Sequence, residues 1–431
     1  MVIGISTIDN PYSTDVAFNA PNFSLKIEGG NVPVGIRQLV QSIEYESSDG
    51  MADLMRIIFV DPNLIPPKGL NSVGPLGGFG GLGGGSGSSV SLRDTRIIQP
   101  GNEISLSLGY GTQLKHVGRT IIRKIRPSYP RDGIPTVEVV AYTKDSVMMD
   151  HAPEKSKKKK GKGGRIFKKT TFGDAVRERL LDYGFVDDVD DTSDSPHNFI
   201  QKVGLSDYDF IAGLANITGY YFWVDGDSEG KWTLHFKNPD TLKREVLQDK
   251  VYTFIYNQGD YSSLLEFNPE LAIQGATTKL EAKVKDPKTG KTLEATFEEE
   301  NNKSPDITVD AGTDIRASRN ELEGKHTTAS DIKIFINDYS FEVRSNRRFK
   351  TEAELIVWAK QWFRRNRENF VMCNGTIIGV ESIMARQIHN LSGLGAGLDG
   401  EYFFSNVTHR MDKDSGYEID CDMRKVVPTL A

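Results

Sequence analysis

The sequence predicts a mainly β protein with α+β inserts, organised around two related β barrels in one chain. Three observations predict it. Short segments rich in Ile, Val, Phe and Tyr, with partial apolar and polar alternation, recur along most of the chain. Two helices of one shared design, each with a polar cap and a terminal glycine, interrupt them. The end of the first β region also reads like the end of the whole chain.

Taken in order, FSLKIEG from Phe23, IRQLVQSIEYES from Ile36 and LMRIIFVDP from Leu54 carry strand chemistry and read as an antiparallel meander. Between Pro66 and Ser91, 18 of 26 residues are Gly, Ser or Pro, a composition that cannot bury a core. This is an insertion between strands. Strands resume at Glu103–Leu108, Arg119–Ile125 and Thr136–Tyr142, with turns at Gly109, Gly111 and Asp132/Gly133. Residues 1–150 are therefore expected to form the first barrel domain. A lysine-rich linker over 151–164 follows, in which Lys157, Lys158, Lys159 and Lys160 repel one another and resist packing.

Residues 165–245 read as a small α+β module. Thr171 caps one helix, with Asp174 at its third position, Phe172, Val176, Leu180 and Tyr183 on one face and Gly184 at its end. Ser206 and Asp209 repeat the arrangement, and Gly219 closes that helix before YYFWVDG and KWTLHF. Residues 246–431 are expected to form the second barrel domain, with an inserted segment at about 290–330. A helix is expected at about 351–369, where Leu355, Trp358, Ala359, Trp362 and Phe363 match a helical stripe.

The internal echo pairs GRTIIRKIRPSYPRDGIPTVEVV from Gly118 with GEYFFSNVTHRMDKDSGYEIDCD from Gly400. In each, a glycine opens a strand and an apolar pair follows (Ile121/Ile122 and Phe403/Phe404), then an apolar residue (Ile125 and Val407). A polar turn ending in Gly133 or Gly416 leads into a second strand. A duplication is the expected cause, with one barrel ending at each copy.

Function classes fall away by composition and spacing. The 53 basic and 59 acidic residues give a net charge of −6, unsuited to gripping phosphates. No run approaches the roughly 18 apolar residues of a membrane span, and the N-terminus carries no basic leader followed by an apolar core. Two cysteines, Cys373 and Cys421, cannot build a disulfide framework. Gly78, Gly80 and Gly83 fit a dinucleotide fingerprint, but no helix pattern follows them. The histidines stand apart from one another, and the aspartates at 187, 188, 190, 191 and 194 lack calcium-loop spacing. Neither a cofactor, a metal site nor a catalytic set is expected.

A family resemblance runs through the second half. SDYDFIAGLANITGYYFWVDGD with KWTLHF, ending its helix at Gly219, resembles the hub family of contractile tails: the phage late control protein D group and the hub part of secretion-system spike proteins. FIYNQGDYSSLLEFNPEL resembles that family's polar patch and Phe-x-Pro-like turn, at Phe267 and Pro269. An Asp-Pro hairpin at Asp286 and Pro287 follows. The C-terminal signature matches at Gly400, Tyr402, Val407, His409, Gly416 and Tyr417. The order of these segments, rather than any one of them, carries the resemblance.

The resemblance implies two tandem barrels of tail-tube type and three chains in a ring. Such a homotrimer adapts a six-fold tail tube to a three-fold central spike and leaves a passage for DNA or cargo. The implied partners are the tail tube protein, a separate spike protein, surrounding baseplate wedge proteins and a tape measure protein, with no specific nucleic-acid binding. The spike is expected to be separate because this chain ends at Ala431 without one. The implied location is a virion tail baseplate or an extracellular injection particle, after synthesis in the host cytoplasm. Lys157–Lys160 form the candidate partner-contact loop. The competing class is a tail-associated cell-wall hydrolase, suggested by the abundant carboxylates.

Overall fold

The computed structural model describes residues 20–61, 92, 97–153, 164–192, 194, 196–239, 251–256, 262–271, 279–285, 292–298, 332–336, 339–343, 355–356, 358–359, 362–363, 369, 371–395, 397–413 and 415–426. The Gly/Ser-rich run, Lys157–Lys160, Asp286 and Pro287 lie outside them. In the first region are β1 (Pro21–Ile27), β2 (Gly30–Asn31), α1 (Val34–Arg37), β3 (Val40–Ser48), β4 (Leu54–Val60), β5 (Glu103–Tyr110), β6 (Gln113–Ser128), β7 (Thr136–Tyr142) and α2 (Asp145–Met149). The strand predicted from Ile36 thus begins later. Pro33 starts a helical turn that sends Ile36 into the core, and the extended run opens at Val40.

The inserted module holds β8 (Gly164–Thr170), α3 (Phe172–Leu180), β9 (Val186–Val189), β10 (His197–Lys202), α4 (Asp207–Thr218), β11 (Tyr221–Gly226) and β12 (Trp232–Lys237). Its helices start where their caps predict. Thr171 accepts from the Asp174 amide at 3.2 Å, and Ser206 from the Asp209 amide at 2.9 Å. The module has its own core of Phe167, Val176, Ile211, Leu214, Leu234 and Phe236.

The last region contains β13 (Thr253–Ile255), β14 (Leu264–Leu271), β15 (Lys279–Lys285), β16 (Thr292–Glu298), β17 (Ile332–Ile336), β18 (Tyr339–Val343), β19 (Val371–Ile378), β20 (Ile388–Ser392), β21 (Gly400–Asp412) and β22 (Gly416–Lys425). Strands β15–β18 form a separate four-stranded sheet. Within the predicted helix, Leu355, Trp358, Ala359, Trp362 and Phe363 are helical, with Leu355, Ala359 and Phe363 buried.

One sheet joins the two ends of the chain, in the order β14-β19-β22-β21-β3-β4-β7-β6-β5-β1-β2, with β20 on β21 and β13 on β20. Its strand pairing is not seen to close among the described residues. The strands of the two expected barrel domains lie in one antiparallel sheet, joined where β21 pairs with β3. One core serves both units, running from Leu25, Ile57 and Leu106 to Phe254, Ile377 and Ile419.

The predicted duplication extends well beyond its hairpin. Ile122 faces Ala141 and Ile125 faces Val139 across β6–β7, while Phe404 faces Met423 and Val407 faces Cys421 across β21–β22. One constant shift in numbering maps the first hairpin onto the second. Both are bulged at the same place, between Ile122 and Lys124 and between Phe404 and Asn406. The outer pairs agree too: β3–β4 is bulged between Val40 and Ser42, and β14–β19 between Leu264 and Glu266. The units are therefore β3-β4-β7-β6-β5 and β14-β19-β22-β21-β20.

Candidate functional site: the junction of two repeats and a module

A buried polar cluster lies where both units meet the inserted module. It lines a cleft of about 440 Å³ whose walls include Tyr45, Asp53, Gly118, Trp223, Asp225 and Arg386. Arg386 is its centre. It stands just before β20, where its amide donates to the Phe404 carbonyl at 2.6 Å and the Phe404 amide donates to Gln387 at 2.9 Å. In the first unit, Gly101 and Asn102 bracket Ile122 with the same two bonds, at 2.8 and 2.9 Å. Gly101 has φ 96 and Arg386 has φ 72. An arginine thus holds a left-handed conformation that its counterpart assigns to glycine, at a cost of about 1–2 kcal/mol.

What retains Arg386 there is its side chain. The buried guanidinium donates to the Ser48 carbonyl and, at 3.1 Å, to Ser47 Oγ, both on β3 of the other unit. It also lies 4.5 Å from the Trp223 ring centre on β11 of the module. One residue therefore ties three parts of the molecule. Beside it, buried Asp53 accepts from Tyr45 Oη at 3.0 Å and the Ser48 amide at 3.2 Å. Burial pushes the Asp53 carboxyl up to about 6, against the pull of the nearby Arg386 charge.

The module is fastened elsewhere by several contacts. His116 Nε2 lies 2.9 Å from the Gly226 carbonyl, Trp232 Nε1 donates to Glu103 at 3.2 Å, and Tyr221 stacks on Phe403 at 5.4 Å. Ile121 and Phe403, equivalent in the repeat, both turn toward the module. The chemistry here is that of a fixed joint. The aspartates of the module are likewise spoken for: Asp188 meets His235 at 2.6 Å and Lys237 at 2.7 Å, and Arg177 reaches Asp191 at 2.8 Å. These aspartates, spaced unlike a calcium loop, make ion pairs that remain partly open to solvent, and no metal-binding cluster occurs among the described residues.

The residues singled out in sequence fall in three places. His409, Tyr417, Val407 and Tyr402 are buried in the second unit around the seam with the first. His409 faces Tyr45 in register, meets Tyr417 Oη and the Ile383 carbonyl at 2.7 Å each, and is pushed down to about 4 by burial. Gly400 opens β21, Gly416 opens β22 and Gly219 ends α4. Phe267 and Pro269 lie within β14, not in a turn, because their segment pairs with β19 along its whole length. Sequence reading missed Arg386. Its only signal was position in the repeat, opposite Gly101, and that alignment needs the strand register.

Residues 83–413 match the family model described as the Alg8 N-terminal domain. The chain belongs to that family. No curated protein matches it. Among solved structures, 94% of the chain superposes on 98% of the 43 kDa tail protein of prophage MuSo2 from Shewanella oneidensis, at a TM-score of 0.58 and 12% identity. A tail protein from Neisseria meningitidis MC58 gives 0.56 and 10%, with 94% and 96% of the two chains covered. The E. coli c3393 protein is described as a type VI secretion component similar to the T4 tail proteins gp27 and gp5. It gives 0.50 and 11%, with 94% and 77% covered. This member of the Alg8 N-terminal domain family thus shares the fold of these phage tail and type VI secretion proteins over nearly its whole length.

Proposed function

We propose that the chain is a structural baseplate hub of a contractile phage tail or a related injection machine, of the late control protein D kind. Three copies form a ring of six similar units, two tube-like barrels from each chain, which adapts a six-fold tube to a three-fold spike around a passage. The observation that carries this reading is the repeat: two units of one strand order, register and bulge position in a single chain. The shared tail-protein fold supports it. In this reading residues 1–150 and 246–431 are the two barrel domains, 151–164 the linker and 165–245 the module that braces them.

The partners are then a tube protein, a separate spike, wedge proteins and a tape measure protein, in a virion baseplate or an injection particle. Lys157–Lys160 lie on an outer or end surface toward an acidic wedge partner, since a basic lumen would hold passing DNA. Mass measurement of the full chain in solution and in the purified particle tests the ring. Three times the chain mass of 47.9 kDa is expected, and a monomer in the assembled particle overturns the reading. Lysis of peptidoglycan by the isolated chain would favour the hydrolase class instead.

A further inference from the structure

The two units of the repeat are joined by one strand pair whose reciprocal is not made within the described residues. Within the chain, β21 of the second unit lies antiparallel to β3 of the first. Val407 faces Ser47, Thr408 faces Glu46, His409 faces Tyr45, Arg410 faces Glu44 and Met411 faces Ile43. The counterpart of β21 is β6 and the counterpart of β3 is β14. Among the described residues, no strand pairs with β6 beyond Ile122 on the side away from β7, nor with β14 beyond Leu264 on the side away from β19. Burial agrees. Val407, His409 and Met411 are buried, whereas of their counterparts Ile125 is half-buried and Pro127 and Tyr129 are exposed. Ile43, Tyr45 and Ser47 are buried, whereas Phe267 and Leu271 are half-buried and Pro269 is exposed.

We propose that these two open edges join copy to copy: Phe267–Leu271 of β14 in one chain pairs with Ile125–Tyr129 in the next, in the register of β3 and β21. Carrying that register across the repeat places Ile125 opposite Leu271, Arg126 opposite Glu270, Ser128 opposite Asn268 and Tyr129 opposite Phe267. The parity is right. Ile125, Phe267 and Leu271 already pack on the main core within each chain, and Tyr129 is 54% exposed. The pairing therefore sets apolar on apolar on the core face and polar on polar outside.

Charge complementarity favours a second copy as the occupant. A row of alternating charges crosses the outer face of the sheet: Asp420 with Arg410 at 2.9 Å, Glu44 with Arg56 at 2.8 Å, Arg56 with Glu138 at 3.1 Å, and Glu138 with Arg126 at 3.0 Å. Arg410 faces Glu44 across the seam between units. The row ends on Arg126 at one open edge, while Glu266 and Glu270 stand on the other. Joining the edges sets Arg126 opposite Glu270 and so places an acid beside the row's terminal cation.

The prolines shape this contact. The Asp49 amide donates to the Ser405 carbonyl at 2.9 Å, which fixes the phase of the ladder and makes His409 and Tyr45 a hydrogen-bonded pair. Their counterparts are Pro127 and Pro269, so the joint forgoes that rung. Each edge alone is thereby blunted against indiscriminate strand addition.

The proposal rests on the ring reading, and one experiment separates the two. Arg126 and Glu270 occupy a non-hydrogen-bonded pair, where β-carbons approach to about 4.5–5.5 Å, within reach of a disulfide. The full chain carrying Arg126→Cys and Glu270→Cys should, on oxidation, give linked species up to three chains on a non-reducing gel. Each single variant should run as one chain, since Cys373 and Cys421 are buried. The diagonal control, Arg126→Cys with Asn268→Cys, should link poorly. Should the cysteine pair disturb folding, charge reversal gives a second readout: Arg126→Glu and Glu270→Arg each weaken assembly several-fold at low salt, and together restore it. A three-chain mass without the 126–270 link or the rescue overturns the edge pairing and leaves the hub reading standing. A link that closes at two chains keeps the pairing and overturns the three-fold ring, and a monomer with no link overturns both.

Discussion

The two five-stranded units of this chain agree in register, bulges and the bonds around Ile122 and Phe404, yet they differ in what holds those features in place. In the first unit a glycine makes the left-handed turn before β5, and Gly118 lets the Tyr45 ring lie flat over β6: a methyl there would come within 2.3 Å of that ring. In the second unit Arg386 makes the same turn under strain, and Gly400 is set by its own backbone at φ 137, with no atom closer than the Lys425 side chain at 3.5 Å. The first unit is a plain copy of the turn. The second has turned it into a tie to its neighbours.

The largest effect expected from breaking this difference is at Arg386. Arg386→Ala leaves Asp53 buried without its nearest cation and removes both bonds to β3, so a loss of roughly 3 kcal/mol is expected in denaturant unfolding. Arg386→Gly, the first unit's solution, should recover about 1 kcal/mol of that by releasing the left-handed strain. Equal losses for the two variants would mean that the strain is not real.

Next comes Asp145, where the first unit runs on from β7 into the junction. Burial pushes its carboxyl up to about 7, although Thr143 Oγ1 donates to it at 2.7 Å. The folded pKa exceeds the unfolded value of about 4, so the folded state binds the extra proton. Stability from this group is complete below about pH 4 and is lost as pH rises through 7. Asp145→Asn should therefore match the parent at about pH 4 and below and exceed it at pH 8, by on the order of 2–4 kcal/mol. Thermal unfolding across that range checks the sign.

Gly118→Ala should cost about 1–3 kcal/mol through overpacking, and trimming Tyr45 to Ala in the same chain should recover part of it. Gly400→Ala should also destabilise, by about 1 kcal/mol, but no neighbouring truncation should rescue it. The smallest effect is expected in the charge row. Arg56→Gln, which breaks two half-exposed pairs with Glu44 and Glu138, should change stability by less than about 1 kcal/mol, and less again in high salt.

Local chemistry made much of this legible. The caps at Thr171 and Ser206 bind their own helices through side chains three residues away, so short-range sequence is enough to place α3 and α4. The hairpin echo was readable because its glycines and apolar pairs recur in order. The other strands of the repeat were not, since β3 and β14 share shape but almost no residue type: Val40, Ile43 and Tyr45 stand where Leu264, Phe267 and Pro269 stand in the second unit. The junction was the least legible part. Ser47, Trp223 and Arg386 are far apart in the chain, and each looks ordinary in its own neighbourhood.

By itself, then, the sequence determined most strands of the first unit, the two capped helices of the module and the existence of a duplication, because hydrophobic period, capping and turn chemistry act over a few residues. Only the tertiary structure decided that the two units share one sheet through β3 and β21, that an arginine closes the joint in a glycine's conformation, and which strand edges remain open. Those outcomes depend on pairing between residues hundreds of positions apart. Register is set there by how buried faces and ladders fit together, which no local window contains.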